Sequence, residues 1–461
     1  MLSGASLLRA IASGGLSARE ALDASIARIE ATDSAVNAFT GQSYERAARE
    51  AAAIDALRAR GEMLPPLAGL PYAVKNLFDI EGEVTLAGSK INRGLPPATE
   101  DAFLVARMKA AGAVLVGSLN MDEYAYGFTT ENSHAGPCHN PHDLARIAGG
   151  SSGGSGAAVA AAQVPLALGS DTNGSIRVPA SLCGVWGLKP TFGRLSRRGS
   201  YPFVHSIDHL GPLADSVDVL ALSYDALQGP DPLDAGCHAL DVQPVGGKLS
   251  LGIDGLRIGV LGGYFADNAT APALSAVQAA ARELGATAQV EWPEPALGRA
   301  AAFLITAAEG GSLHLQDLRT RVQDFEPLSV DRFIAGVLQP GAWYVRAQRF
   351  RRVYRDLVNA LFRDWDVLIA PATPVSAPEI GTEWLEIGGR KLPCRPSMGL
   401  LTQPISFAGC PVMAAPLWPE GTGGMPIGVQ LIAAPWREEY ALRAGKVLEE
   451  AGVARLEASH A

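Results

Sequence analysis

Two serines and one lysine have the residue types and the sequence context for nucleophilic catalysis. Ser151 lies in the segment GGSSGGS and Ser175 in DTNGSIRVPA, where neighbouring glycines permit tight turns. Lys75 ends the apolar segment PYAVK, and burial there would lower the pKa of its amine towards neutrality. A serine hydroxyl needs a base to become a strong nucleophile. We therefore predict a proton path from Ser175 through Ser151 to Lys75, which would serve the hydrolysis of an amide.

The turn around Ser175 is predicted to connect a buried strand to a helix. The segment VPLALGSD indicates a strand that ends at Asp171, and SIRVPASLCG indicates the start of a helix. Backbone N–H groups at the start of a helix lack intrahelical partners, so they can donate to an oxyanion that forms on an attacked carbonyl. Gly174 allows the backbone to approach other groups closely, because it has no Cβ.

The elements that must hold these residues alternate between helices and strands. Segments rich in small or amphipathic residues predict helices, namely DAFLVARMKAAG and GSGAAVAAAQ. Short apolar runs predict buried strands, namely AVLVGSLN, VPLALGSD, LRIGVLGGY, WDVLIAPATP and PVMAAPLW. Such alternation favours the α/β class, with helices on both faces of a sheet.

The N-terminal part of the chain is predicted to be helical. Ser17 and Glu20 form the pattern of a capping box that opens one helix, and a second helix is predicted at about residues 44–60. We predict that residues 1–63 form a helical segment, either a layer packed on the core or a docking face for a partner. Residues 64–461 are then predicted to form the main domain.

Composition and charge exclude several classes of function. The 461 residues carry a net charge of −9 without blocks of like charge, so nucleic acid and anionic membrane are poor partners. The five cysteines are scattered and form no CxxC pair, which argues against a zinc site and a disulfide framework and suggests a reducing compartment. No signal peptide and no apolar run of about 18 residues is found, so we predict a cytoplasmic protein.

From about residue 67 to residue 450 the chain resembles the amidase signature family. The resemblance is carried by GGSSGGS, DTNGSIRVPA, the segment GSLNMDEYAYGFTTENSHAGPCHNPHD and the late segments AGCPVMAAPLW and MPIGVQLI. A motif of this length is highly specific. The resemblance implies one large α/β/α domain around a central mixed sheet and the hydrolysis of a small amide without a cofactor or a metal.

The resemblance also implies a role for each candidate residue. Ser175 would be the nucleophile, Ser151 the bridging serine after a non-proline cis peptide bond, and Lys75 the general base. Asp171 and Arg177 would brace the loop. The oxyanion hole would consist of the backbone N–H groups of Thr172, Asn173, Gly174 and Ser175.

Two positions depart from the family pattern. Asn173 stands where the family often has a glycine, and we expect the turn to survive because asparagine tolerates positive φ. The Asn173 side chain could then enter the pocket and alter substrate choice. Ser406 stands where the family has an asparagine before AGxP.

Two branches of the family are similar to this chain. The segment MDEYAYGFTTENS is similar to the A subunit of the glutamyl-tRNA amidotransferase, which hydrolyses glutamine. The replaced glycine and the segment SYPFVHSIDHLGP are more similar to the 1-carboxybiuret hydrolase group, which releases ammonia from a small carboxylated urea. That branch implies a small helical partner related to the amidotransferase C subunit. Another small-molecule amidase and a homo-oligomer remain alternatives.

An anionic substrate would need a cation in the pocket. The segment DRFIAG resembles the region that supplies a substrate-binding arginine in the amidotransferase branch, so Arg332 is our candidate. An exposed helix arginine without a role in binding is the competing interpretation.

Two rival functions fit these observations less well. Residues 149–153 fit GxSxG, the nucleophile elbow of α/β-hydrolases, with Asp208 and His209 downstream. An elbow requires a strand directly before its serine, and HNPHDLARIAGG does not predict one. An inactive scaffold is disfavoured because all three catalytic side chains are present.

Overall fold

The predicted buried strands join one mixed sheet of eleven strands in a computed structural model, which describes residues 2–459. In chain order the strands are β1 Phe39–Gln42, β2 Pro71–Lys75, β3 Val114–Leu119, β4 Glu131–Asn132, β5 Gly136–Pro137, β6 His139–Asn140, β7 Asp143–Ile147, β8 Leu166–Asp171, β9 Trp186–Lys189, β10 His209–Ala214, β11 Ile258–Leu261, β12 Ala288–Val290, β13 Val367–Pro371, β14 Trp384–Ile387, β15 Arg390–Pro393, β16 Val412–Leu417 and β17 Ile427–Ala433. The order across the sheet is β1-β3-β2-β8-β10-β9-β16-β17-β13-β11-β12.

The strands are connected largely by helices. These are α1 Gly4–Ser13, α2 Ala18–Val36, α3 Tyr44–Ala59, α4 Phe103–Ala110, α5 Gly153–Ala160, α6 Arg177–Cys183, α7 Val217–Leu227, α8 Tyr264–Asp267, α9 Ala271–Glu283, α10 Pro295–Leu313, α11 Leu315–Thr320, α12 Val330–Leu338, α13 Gly341–Leu361, α14 Cys394–Ser397, α15 Gln403–Ala408 and α16 Glu438–Glu450. Short 3-10 helices cover Ile91–Gly94, Glu123–Ala125, Gly246–Leu251 and Val322–Asp324.

Both faces of the central sheet are buried. In β8, Leu166 and Leu168 belong to one hydrophobic cluster, whereas Ala167 between them belongs to the other. Successive side chains of a strand point to opposite faces, so the two clusters are the two cores of a sheet covered on both sides. The predicted α/β class, with one large domain around a mixed sheet, is confirmed.

The N-terminal segment contains more than the two predicted helices. The capping box of Ser17 and Glu20 is present at the start of α2. Helix α1 and strand β1 were not predicted, and β1 pairs antiparallel with β3 at one edge of the central sheet. Residues 2–63 are thus tied to the sheet by backbone hydrogen bonds. Within residues 2–459, none of the helices combines the length and the apolar character needed to cross a membrane.

The parallel pairing of β2 with β8 determines where the site forms. Val74 of β2 is paired with Leu168 of β8, and both strands run in the same direction. The last residues of these strands, Lys75 and Asp171, therefore lie at the same edge of the sheet, where the loops after parallel strands commonly carry function.

Candidate active site

The amine of Lys75 lies among three serine hydroxyls at the end of β2. Its Nζ is 2.6 Å from Ser151 Oγ, 3.0 Å from Ser152 Oγ and 2.9 Å from Ser170 Oγ. Both Lys75 and Ser151 are fully buried. The structure thus brings the predicted base to the predicted bridging serine. Ser152 and Ser170 were not predicted, although Ser152 stands in the same GGSSGGS segment.

The environment of Lys75 favours its neutral amine. Burial lowers the pKa of Lys75 from its usual 10.5 to about 7, against the opposing charges of Asp122, Asp171 and Asp208. No hydrogen bond or ion pair joins the Lys75 amine to a carboxylate within residues 2–459. An amine that loses its proton near neutral pH is available as a base.

Ser175 lies in the loop between β8 and α6, against the loop of Ser151. The Ser152 N–H donates to the Ser175 carbonyl at 3.3 Å, and the Gly150–Ser151 peptide bond is cis. Ser175 is 3% exposed, and in the described part of the chain its hydroxyl makes no hydrogen bond, including none to Ser151. Hydrogen bonds of catalytic groups are often long before substrate binds.

A buried ion pair holds the loop after β8. Arg177 donates to Asp171 through Nε at 2.9 Å and through Nη2 at 2.9 Å. Burial alone would raise the pKa of Asp171, but the charge and the hydrogen bonds of Arg177 hold it well below its usual value. Arg177 also donates to the Thr402 carbonyl at 3.1 Å and to Gln430 Oε1 at 2.7 Å. Its donors are thus used to fasten the loop to the opposite half of the sheet.

Ser406, the second departure from the family pattern, belongs to the same brace. Its hydroxyl donates to Asp171 Oδ1 at 3.1 Å and accepts from Arg177 Nη2. Ser406 therefore supports the loop of Ser175 through the Asp171–Arg177 ion pair.

One N–H group of the predicted oxyanion hole already has an acceptor within the protein. The Gly174 N–H donates to Asp171 Oδ1 at 2.8 Å, so it is already engaged in bracing the turn. The N–H groups of Asn173 and Ser175 have no partner among residues 2–459 and remain candidates, together with Thr172. Gly174 has φ +138°, and a Cβ there would lie 2.1 Å from Thr402 Oγ1, so this position requires glycine.

Asn173 does not adopt the positive φ that we expected this position to tolerate. Positive φ in this turn falls on Gly174 and not on Asn173. The Asn173 side chain instead donates through Nδ2 to Thr306 Oγ1 at 3.0 Å, and its buried Oδ1 has no partner within the described chain. The side-chain amide of Asn173, in the same turn as Ser175, is thus held by α10.

Two arginines lie near Asp122, a residue that contacts the Ser151 loop. The predicted Arg332, in α12, places its guanidinium over the Tyr126 ring at 5.3 Å and makes no ion pair among the described residues. Arg395, in α14, was not predicted; it donates through Nη2 to Asp122 Oδ1 at 3.2 Å. Asp122 in turn donates its backbone N–H to the Ser151 carbonyl at 3.3 Å. Arg395 is therefore connected to Ser151 through a single residue, Asp122.

The nucleophile elbow of an α/β-hydrolase is not formed. The strand before Ser151 is β7, which pairs with the short β6 and forms a single bridge to Glu379, and β7 is not a strand of the central sheet. His209 contacts the Asp171 carbonyl through Nδ1 at 3.0 Å, whereas Asp208 accepts from the Thr172 hydroxyl at 2.6 Å. Neither side chain contacts Ser151 in the part of the chain described.

Comparison with known proteins shows which family the chain belongs to. A sequence model of the amidase family matches residues 20–442. The chain is 74% identical over 450 residues to AtzE, a 1-carboxybiuret hydrolase subunit of Pseudomonas sp. (strain ADP), with 98% of each chain covered. It is 40% identical over 468 residues to the A subunit of the glutamyl-tRNA(Gln) amidotransferase of Anaeromyxobacter dehalogenans (strain 2CP-C), with 95% of this chain and 94% of that protein covered.

A solved structure is similar over the whole length. It has a TM-score of 0.98 and 73% identity, covers 99% of this chain and 100% of its own, and is described as a vestigial protein complex that reveals the evolutionary origins of an s-triazine catabolic enzyme. The fold, the matched residues and the level of identity support one conclusion: the chain belongs to the amidase family.

Proposed function

We propose that this protein hydrolyses a small carboxylated urea of the 1-carboxybiuret type and releases ammonia. The observation that carries the proposal is the 74% identity to a 1-carboxybiuret hydrolase subunit over nearly the whole of both chains. Membership of the amidase family makes the protein a hydrolase of carbon–nitrogen bonds. The buried position of Ser175 supports a small substrate, because little space around its side chain is open to solvent.

In the proposed mechanism, the neutral amine of Lys75 accepts the proton of the Ser151 hydroxyl. Ser151 takes the proton of Ser175 as the Ser175 oxygen attacks the amide carbon. The first link is supported by the 2.6 Å distance from Lys75 Nζ to Ser151 Oγ. The second link forms when substrate enters and the Ser175 hydroxyl turns towards Ser151. The N–H groups of Asn173 and Ser175 donate to the oxyanion, which is where such donors contribute most to catalysis.

Collapse of the tetrahedral intermediate breaks the carbon–nitrogen bond. The proton held by Lys75 returns through Ser151 to the nitrogen, and ammonia leaves with an acyl group remaining on Ser175 Oγ. Water, deprotonated along the same path, then attacks the acyl group and restores the free serine. Serine attack thus divides one difficult hydrolysis into two easier steps.

We assign the recognition of negative charge to the region around Arg332. Burial, together with the charge of Arg395 nearby, lowers the pKa of Arg332 from its usual value, against the opposing charges of Asp331 and Asp122. Within residues 2–459 no carboxylate forms an ion pair with Arg332, so a substrate carboxylate could do so. A neutral amide of the same size would leave Arg332 without that ion pair.

A panel of small amides tests the proposed substrate. Ammonia release would be measured with 1-carboxybiuret, biuret, allophanate, glutamine and malonamide. We expect kcat/KM for 1-carboxybiuret to exceed that for biuret by about 10- to 100-fold, because a charge-assisted hydrogen bond contributes about 1.5–3 kcal/mol. In Arg332→Met this ratio should fall, while turnover of biuret stays the same.

Three results of the panel would contradict the proposal. Glutamine as the best substrate would indicate the amidotransferase type of activity, which the 40% identity to its A subunit keeps as the second candidate. Equal kcat/KM for biuret and 1-carboxybiuret would show that the protein does not recognise the carboxylate. If the ratio of these two kcat/KM values is unchanged in Arg332→Met, Arg332 does not recognise the carboxylate.

We also propose a small helical partner related to the amidotransferase C subunit, in a reducing, cytoplasmic setting. The similar structure described as a protein complex supports the partner, and the five free cysteines support the compartment.

A row of exposed apolar side chains offers a surface for this partner. Ile334, Val337 and Leu338 are exposed at helical spacing on α12, and the exposed Trp343 follows at the start of α13; we call these four the α12 face. The described residues of the N-terminal segment expose only Leu2 and Met63 among their large apolar side chains, so we place the partner on the α12 face.

The substitution Trp343→Glu tests this surface. Trp343 and Trp384 are each 50% exposed, so Trp384→Glu, in the β14–β15 hairpin, is a matched control. When the protein is co-expressed with the short helical subunit, Trp343→Glu should lose the partner in size-exclusion chromatography and Trp384→Glu should retain it. Retention in both variants would contradict the placement. Loss of self-association in Trp343→Glu would assign the face to a second copy of the chain instead.

A further inference from the structure

Arg395 has hydrogen-bonding capacity that the protein does not use. Its side chain is 12% exposed, and its one ion pair within residues 2–459 is the 3.2 Å contact from Nη2 to Asp122 Oδ1. Its Nε and Nη1 atoms are buried without a hydrogen-bond partner within the described chain. Buried guanidinium donors are normally satisfied, because an unsatisfied one retains its full cost of desolvation.

Arg177 differs from Arg395 in how its donors are used. Arg177 is also buried, and its nitrogens donate to a carboxylate, a hydroxyl, an amide oxygen and a carbonyl. The chain therefore provides acceptors for a buried arginine where that arginine has a structural task. Arg395, by comparison, is left with donors that an external acceptor could bind.

Two connections link the segment of Arg395 to the loops of Ser151 and Ser175. On one side Asp122 accepts from Arg395 and donates its backbone N–H to the Ser151 carbonyl. On the other side the chain after α14 reaches Thr402, whose hydroxyl donates to the Asn173 carbonyl at 2.7 Å. Arg395 thus belongs to a segment that contacts both the loop of Ser151 and the loop of Ser175.

Asp122 holds Arg395 without neutralising the whole guanidinium. The second oxygen of Asp122 accepts from the Thr130 N–H at 3.0 Å, so the carboxylate is shared between the loop backbone and the arginine. Arg332 is near enough for its charge to interact with Arg395 and Asp122, and Asp331 is a second carboxylate beside Arg332. The unused donors of Arg395, and not an excess of positive charge, therefore match an incoming carboxylate.

We propose that Arg395 binds the carboxylate of the amide substrate, a role that rests on the proposed function because that function assigns the carboxylate. The buried donors of Arg395 then acquire acceptors only when substrate is present. Arg332 supplies a second positive charge above Tyr126. Arg395 determines which amides bind and takes no part in proton transfer.

The test compares Arg395→Met with the wild type on charged and neutral ligands. Arg390→Met, on β15 just before α14, is the matched control because Arg390 is exposed. We expect Arg395→Met to raise KM for 1-carboxybiuret by about 10- to 100-fold, with a smaller change in kcat and an unchanged KM for biuret. Arg395→Lys keeps the charge and should fall between the wild type and Arg395→Met. Arg390→Met should match the wild type.

Malonate, an inhibitor that carries carboxylates and no amide, separates this proposal from the proposed function. It should inhibit the wild type competitively and raise its melting temperature, and both effects should be lost in Arg395→Met. Equal loss of affinity for biuret and 1-carboxybiuret would indicate a structural role and overturn the proposal. Malonate that does not bind the wild type would overturn it too.

Two remaining outcomes also give a decision. If the wild type does not prefer carboxylated amides, the proposed substrate is wrong, yet malonate binding that depends on Arg395 still supports a carboxylate site. If circular dichroism shows that Arg395→Met does not fold, Arg395→Lys is compared with the wild type in the same two measurements. These are the KM for 1-carboxybiuret relative to that for biuret, and the affinity for malonate. Wild-type affinity for malonate and 1-carboxybiuret in Arg395→Lys would then overturn the proposal.

Discussion

Replacing Lys75 with methionine is expected to lower kcat/KM by about 10⁴-fold, at the upper end of what a general base contributes. Methionine has a similar length and keeps the end of β2 filled, but it cannot accept a proton. The fully buried amine is hydrogen-bonded to Ser151, and in the described chain no other base contacts that hydroxyl. The measurement is ammonia release at substrate concentrations well below KM, with circular dichroism to establish that the variant is folded.

The pH dependence of the wild type follows from the same group. Burial lowers the pKa of Lys75 to about 7, so kcat/KM should rise as the pH increases through about 7 and then reach a plateau. In Lys75→Met the residual activity should lack this rise. A rise that persists unchanged in Lys75→Met would assign the titration to another group and contradict the proton path.

The stability of Lys75→Met gives an independent check. The lysine pKa is about 7 in the folded state and near 10.5 in the unfolded chain, so the unfolded state binds more protons between these values. Burial of Lys75 therefore lowers the free energy of unfolding most below about pH 7, and this effect disappears as the pH rises through about 10.5. The melting temperature of Lys75→Met, relative to wild type, should be higher at pH 7 than at pH 10. A difference independent of pH would show that the amine is not buried as described.

A serine-directed fluorophosphonate distinguishes the two serines. It should label the wild type on Ser175 and leave Ser175→Ala unlabelled, because only Ser175 is proposed to attack. Label on Ser151 would revive the α/β-hydrolase interpretation. Failure to label the folded wild type would favour an inactive scaffold.

Much of the site could be predicted because its determinants are local. The apolar run PYAVK predicts that Lys75 ends a buried strand, and the small residues of GSGAAVAAAQ predict a helix that packs closely. The alternation of strands and helices then predicts a sheet in which strand ends share one edge. These features depend on neighbours in sequence, so the chain order is enough to identify them.

Other features depend on distant contacts and could not be predicted. Arg395 meets Asp122 across 273 positions, and nothing around Arg395 in sequence indicates a site. The Gly174 N–H was expected to face the substrate, but its hydrogen bond to Asp171 depends on the orientation that Arg177 gives to that carboxylate. Strand β1 is short, and its pairing with β3 joins two segments that lie far apart in sequence.

The substitution Asp171→Asn is expected to lower the free energy of unfolding by about 3–5 kcal/mol, because it leaves the buried Arg177 charge without its partner. Activity should fall as well, by about 100-fold, since the Gly174 N–H loses a charged acceptor and the turn that carries Ser175 shifts. Urea denaturation and ammonia release measure the two effects. Asp143→Asn is the matched control, because Asp143 and Arg146 form a partly exposed pair whose loss should cost at most about 1 kcal/mol.

The double variant Asp171→Asn/Arg177→Met separates the effect of an unpaired buried charge from the effect of losing the hydrogen bonds that hold the loop. Removing both charges also removes the unpaired buried cation, so part of the lost stability should return relative to Asp171→Asn alone. Activity should not return with it, because the neutral pair no longer holds the Gly174 N–H or fastens the loop to Gln430 and Thr402. Recovery of both stability and activity would show that the turn keeps its shape without the brace, and Asp171 and Arg177 would then have no bracing role.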